Sequence, residues 1–311
     1  MNPPRRNQTR QRSPSHSPYY PLKAEDERYA ILISIALFYI VIFFIMPAMK
    51  AYYWKKKNIA ISTEDFQKLI FIFKNENEND PGFLQFRFSK ANMFLLIATR
   101  NEINHEDLSK LCVNWKDDFW VLRHLCRCMG ERQAELEVIR IYNLVNCGNA
   151  REAVRFRFNF STGPYSHPFF VALCLTQILY IVLVKYLAKN LWYFLLRKNR
   201  STSVNPSLDI YVNLKDTIAD QQSDANYIGI RGVIERDDWT LANCFSTRNA
   251  NRHGKYRNTE IYWESFFNSI IKLLERLNQT DDAREVRIIL TRLQAARRNG
   301  TDVTYEDLFR F

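Results

Sequence analysis

Between Arg28 and Lys50 lie 21 consecutive residues without a charge, YAILISIALFYIVIFFIMPAM. As a helix rising ~1.5 Å per residue the run is about 31 Å long, close to the ~30 Å of a bilayer's hydrocarbon core. A helix apolar on every face needs either lipid or protein around its whole circumference. Residues 29–49 therefore read as a transmembrane helix, with a buried core helix as the competing assignment. The run is too long for a typical signal-peptide core and no small-x-small cleavage site follows it. Lys50, Trp54, Lys55, Lys56 and Lys57 then supply the aromatic and basic groups expected where such a helix meets headgroups.

A second apolar block, residues 168–196, predicts a transmembrane or interfacial helix. Only Phe169 to Val184 is free of charge, slightly short for a span. Lys185 and Lys189 share a helical face and can snorkel, with Trp192 at the interface and Arg197 and Lys198 beyond it.

The net charge of +11 suggests nucleic acid until it is located. Basic residues outnumber acidic ones six to three in residues 1–28, four to none in 50–57 and four to none in 168–198, whereas 58–167 and 199–311 each balance. The excess flanks the apolar segments, a pattern that suits anionic headgroups as partners and leaves no expectation of nucleic acid. The mean hydropathy of −0.33 places most of the chain in water.

These features divide the chain into a disordered basic Pro/Ser tail (1–28), the first span (29–49), a helical soluble region (50–167), the second apolar helix (168–196) and a C-terminal soluble region (197–311) ending in a helical hairpin. The expected fold class is a mainly α membrane protein with minor β structure. Ser13-Pro14 and Ser17-Pro18 in the tail match proline-directed phosphorylation sites. Two spans put both termini on one side. Lysine and arginine counts on the flanks slightly favour the cytosol for the termini, although Lys50 and Lys55–Lys57 pull the intervening region there instead.

In the soluble parts, a helix is expected over EDFQKLIFIF (64–73) with a capping-box-like start at Ser62 and Asp65, and others at 89–100, 105–113, 117–129, 131–146 and 149–158, and at 259–277 and 281–298 with Gly300 as a stop. FLQFRF (83–88) and NYIGIRGVIE (226–235) alternate like strands, and a basic loop is expected at 246–258. IYNLVNCGNAREAVRFRF (141–158) resembles the turn of a tetratricopeptide-type helical hairpin, but no second copy follows at a spacing of about 34 residues.

Catalytic signatures are sparse. There is no Gly-rich phosphate loop, G-x-S-x-G or H-E-x-x-H. HLCRC (124–128) has an imidazole and two thiols but lacks the second ligand pair of a zinc site. Asp117 and Asp118, beside Trp115 and Trp120, could form an acid pair, but a helix N-terminus explains them with less effort. No cofactor or metal is expected. A lumenal middle region would let Cys112, Cys126, Cys128 and Cys147 form disulfides. Sequons at Asn7, Asn159, Asn199, Asn278 and Asn299 fall on every part of the chain.

The expected function is a two-pass membrane-anchored interaction or scaffold protein that binds partner proteins through its helical regions. An accessory subunit of a channel, translocase or transporter is the alternative, with Thr176, Gln177 and Lys185 packing inside the bilayer. A membrane enzyme using His124, Cys126 and Cys128 or the acid pair ranks behind both. The expected location is the endoplasmic reticulum or nuclear envelope, with a mitochondrial membrane second.

Overall fold

The computed structural model describes residues 24–80, 82–84, 88–105, 108–161, 166–198, 213–214, 240–253 and 255–309. It is mostly helical. The first apolar segment is one continuous rod, α1 (Ala24–Ile40) and α2 (Met46–Lys57) joined by a π-helical turn at Val41–Ile45. Its C-cap, Asn58, takes the left-handed conformation with φ 54°, which asparagine tolerates better than most residues. The second segment has the same construction, with α7 (Pro168–Val182), a π turn at Leu183–Leu187 and α8 (Ala188–Lys198).

Four amphipathic helices fill the stretch between them: α3 (Phe66–Asn79), α4 (Lys90–His105), α5 (Leu108–Met129) and α6 (Arg132–Asn146). Asp65 caps α3 by accepting a 2.8 Å hydrogen bond from Gln67 N, so the cap falls on Asp65, not on the Ser62 start that the sequence suggested. The helices expected at 105–113 and 117–129 are one helix. On α5, Leu108, Leu111, Trp115, Asp118, Phe119, Leu122, Leu125, Cys126 and Met129 are all buried, and their spacing of three and four residues is a single unbroken stripe.

Beyond α6 the expected helix at 149–158 is replaced by a 3₁₀ turn at Ala150–Ala153 and strand β1 (Arg157–Asn159). No second helix of a tetratricopeptide-type hairpin follows. The basic loop expected at 246–258 is mostly helical, lying in α9 (Thr240–Arg252) and the start of α10 (Tyr256–Arg276). The expected terminal hairpin is present as α10 and α11 (Thr280–Asn299), and Val286, Ile289, Leu290, Leu293 and Ala296 are buried on α11 as its pattern requires. Strand β2 (Asp302–Thr304) and the capped turn α12 (Tyr305–Leu308) end the described chain. The alternating stretch 226–235, the tail with Ser13 and Ser17, and residues 85–87 of the stretch 83–88 lie outside the described residues.

β1 and β2 pair antiparallel, Arg157 opposite Thr304, Phe158 opposite Val303 and Asn159 opposite Asp302. This two-stranded clasp ties the region between the apolar segments to the C-terminal region. α5 and α6 pack on α1, while α9 and α10 pack on α7 and α11 backs α10. The result is a layered helical body with the two apolar rods at its centre.

Candidate membrane-spanning pair

Both apolar helices are long and hydrophobic enough to cross a membrane. Glu25–Lys57 has 33 residues and a peak mean hydropathy of 2.7, and Pro168–Leu196 has 29 residues and 2.1. They lie side by side and antiparallel. As the first helix runs from Glu27 to Phe43, its partner runs back from Lys189 to Phe170.

Five contacts fix that register. Lys189 Nζ lies 2.5 Å from Glu27 Oε2 at one end. The Ser34 and Tyr180 hydroxyls meet in a hydrogen bond. Gln177 Nε2 donates to Ile35 O at 3.3 Å, and the Phe38 and Tyr180 rings stack with centroids 4.2 Å apart. Phe43 meets Phe170 edge-on at 5.7 Å at the far end. Thr176 turns its hydroxyl back to Ala172 O at 2.8 Å, the usual way a helix satisfies a buried hydroxyl. Gln177 Oε1 has no hydrogen-bond partner among the described residues. The seam is therefore polar at its middle and ionic at one end.

The pair is sheathed by protein: 78% of the first apolar window and 89% of the second are buried. The sheath also grips each helix at both ends. Near the start of the first, the Cys112 thiol donates to Asp26 O at 3.3 Å and Tyr29 OH donates to Val145 O at 3.2 Å. Near its finish, Tyr52 OH donates to Phe83 O and Tyr53 OH to Glu76 Oε1 at 3.0 Å. For the second, the Phe169 ring meets Tyr256 at 5.8 Å and Asn190 Nδ2 donates to Asp282 Oδ2 at 2.5 Å. In this arrangement the pair is the core of the body.

The residues expected at headgroups are accordingly engaged with protein. Lys55 pairs with Glu131 at 2.7 Å and Lys57 with Glu76 at 2.8 Å. Lys56 lies over the Tyr52 ring and Lys185 over Tyr186. Lys189 holds Glu27 and Trp192 is buried, whereas Lys50 is half-buried and Trp54 exposed. The side chains of Arg197 and Lys198 lie outside the described residues.

No family model, curated protein or solved structure matches this chain.

The thiol and imidazole of HLCRC do come together, with Cys128 Sγ 3.7 Å from His124 Nε2. The imidazole is sandwiched between the Phe88 and Trp120 rings at 5.4 and 5.1 Å. Burial pushes the Cys128 thiol up to about 11 and the imidazole below its ordinary value. Both groups are then neutral near pH 7, the opposite of the thiolate–imidazolium pair that a cysteine nucleophile needs. Cys126 faces away from His124, and burial raises its thiol to about 12. Among the described residues no group of three or more His, Cys, Asp or Glu is placed to hold a metal. No disulfide joins the six cysteines.

The acid pair splits: Asp117 is exposed while Asp118 is 1% exposed in the α4–α5 seam. Two structural features escaped the sequence: the Glu27–Lys189 pair and the β1–β2 clasp. Charge opposition across the two apolar segments signals the first. Three-residue strands more than 140 residues apart give no local signal for the second.

Proposed function

We propose that the protein is a membrane-associated helical interaction protein that uses its two apolar rods as an anchoring pair. The observation that carries this reading is the in-register antiparallel packing of two helices of bilayer length, the arrangement that two successive spans joined on one side adopt. Ser34, Gln177 and Tyr180 place polar groups in the seam between the two rods, as paired spans do. The surrounding helices expose large apolar side chains singly, including Phe71, Phe94, Trp120 and Leu136, and offer them for partner proteins. Anionic lipid headgroups are the second class of partner. An accessory role beside a channel or translocase fits the same pair, with endoplasmic reticulum or nuclear envelope as the first location and mitochondria as the second.

A second reading has its own support in the sheath and the β1–β2 clasp: the rods as a permanent core, with no crossing. Alkaline carbonate extraction of the full-length chain from cells separates the two. Retention in the membrane pellet upholds the anchoring pair, and release to the supernatant upholds the core. Affinity capture from mild detergent then tests the interaction role, which fails if no stoichiometric protein accompanies the chain.

A further inference from the structure

Asp118 sits near the middle of α5, the helix that packs most extensively on α1, and is 1% exposed. Its Oδ1 accepts a 2.6 Å hydrogen bond from the Thr99 hydroxyl of α4. Its Oδ2 has no hydrogen-bond partner among the described residues. A buried carboxylate normally gathers two or three donors or a cation; this one has a single neutral donor.

The cations nearby are committed elsewhere. On α4, Arg100 turns to Gln67 Oε1 at 2.6 Å and Asn101 Oδ1 at 2.9 Å. On α5 itself, Lys116 lies over Trp115 and Arg123 reaches Glu135 of α6 at 3.5 Å. Lys55 and Lys57 of α2 hold Glu131 and Glu76. From α1, Tyr29 meets Trp115 and Glu27 is held by Lys189. What acts on Asp118 is negative: Glu102 from α4, which is 8% exposed and accepts from Asn114 Nδ2 at 2.9 Å, and Asp117 from α5.

We propose that the α4–α5 seam is a pH-sensitive latch, in which Asp118 is the neutral acid while α5 is closed over the apolar pair and its ionisation loosens α5. The latch belongs to the sheathed arrangement, in which α5 covers the first apolar rod. Burial, with lesser help from Glu102 and Asp117, raises the Asp118 carboxyl to about 7, against the pull of the Thr99 hydrogen bond. When the seam opens, water restores the carboxyl to its ordinary value of about 4. Opening therefore releases a proton between those values. The population of the open seam climbs on the order of tenfold per pH unit from about 4 to about 7, then stays level because both states are ionised. Acid closes the seam, and neutrality weakens it.

Hydrogen exchange of α4 and α5 peptides in the purified full-length chain, corrected for intrinsic rates, reads this between pH 5 and 8.5. The wild type is expected to show roughly fiftyfold more opening at pH 7 than at pH 5, with a plateau just above pH 7. Asp118→Asn removes the proton and flattens the profile. Should that variant not fold, two others carry the test. Thr99→Val removes the donor that favours the ion and moves the start of the plateau to higher pH, whereas Glu102→Gln removes a negative neighbour and moves it lower. A flat wild-type profile, a rise retained in Asp118→Asn, or a plateau unmoved in both other variants overturns the latch.

Discussion

Gly300 ends α11 with φ 62°, a conformation that L side chains reach at a cost of about 1–2 kcal/mol. A Cβ there would also lie 2.8 Å from Ser161 Oγ, so the position is closed to alanine by the backbone and by a neighbour. Gly300→Ala should destabilise the chain by about 2 kcal/mol or more in denaturant unfolding, and adding Ser161→Ala should recover only the contact part. Asn159 faces the same corner: its Nδ2 donates to Gly300 O at 3.0 Å and to Asp302 Oδ1 at 2.9 Å. That nitrogen is the atom a glycan would take, and it is buried in the clasp. In a chain whose described regions are exposed to the glycosylation machinery, Asn278, exposed in its left-handed turn, should accept sugar while Asn159 stays bare. A gel-mobility assay on single-sequon variants reads the difference.

For single helices, much was legible in the sequence because one buried face imposes its period. The stripes of α10 and α11 and the long charge-free runs of both rods are such cases. The break wrongly placed in α5 has a physical cause. Asp118 occupies a stripe position, and a carboxyl there reads as solvent until its partner Thr99 is known. What covers each stripe was not legible, since periodicity reports that a face is buried and not against which element. The Glu27–Lys189 pair shows what that costs. Glu27 is largely buried and Lys189 partly so, so Lys189→Met strands a carboxylate among apolar helices. The loss should be roughly 1–3 kcal/mol. Because the pair is coupled, Glu27→Gln added to Lys189→Met should recover part of it, a double-mutant cycle measured by thermal unfolding.

At the scale of the whole molecule, the clasp decides which topologies the body permits. Arg157 and Thr304 face each other in the register with exposed or half-exposed side chains. Cysteines at both positions should form a disulfide under mild oxidation, visible as a mobility shift on a non-reducing gel. The closed loop spans well over 100 residues, so the cross-link should add up to about 5 kcal/mol of stability. If both rods instead cross a bilayer, residues 157 and 304 lie on opposite faces and the membrane-bound fraction stays uncross-linked. The helices that cover α7 bear on the same choice in time. α7 is complete at Val182; of the helices that pack on it, α9 does not begin until Thr240 and the principal cover, α10, not until Tyr256. At ~5–20 residues per second, a ribosome needs roughly 4–15 s to make the chain between α7 and α10. During that interval a bare apolar helix emerges with α10 still unmade, and membrane-targeting factors compete with folding for it. The partition between anchored and sheathed chains is then a kinetic one, so slowing elongation after codon 182 should enrich whichever state captures α7 first.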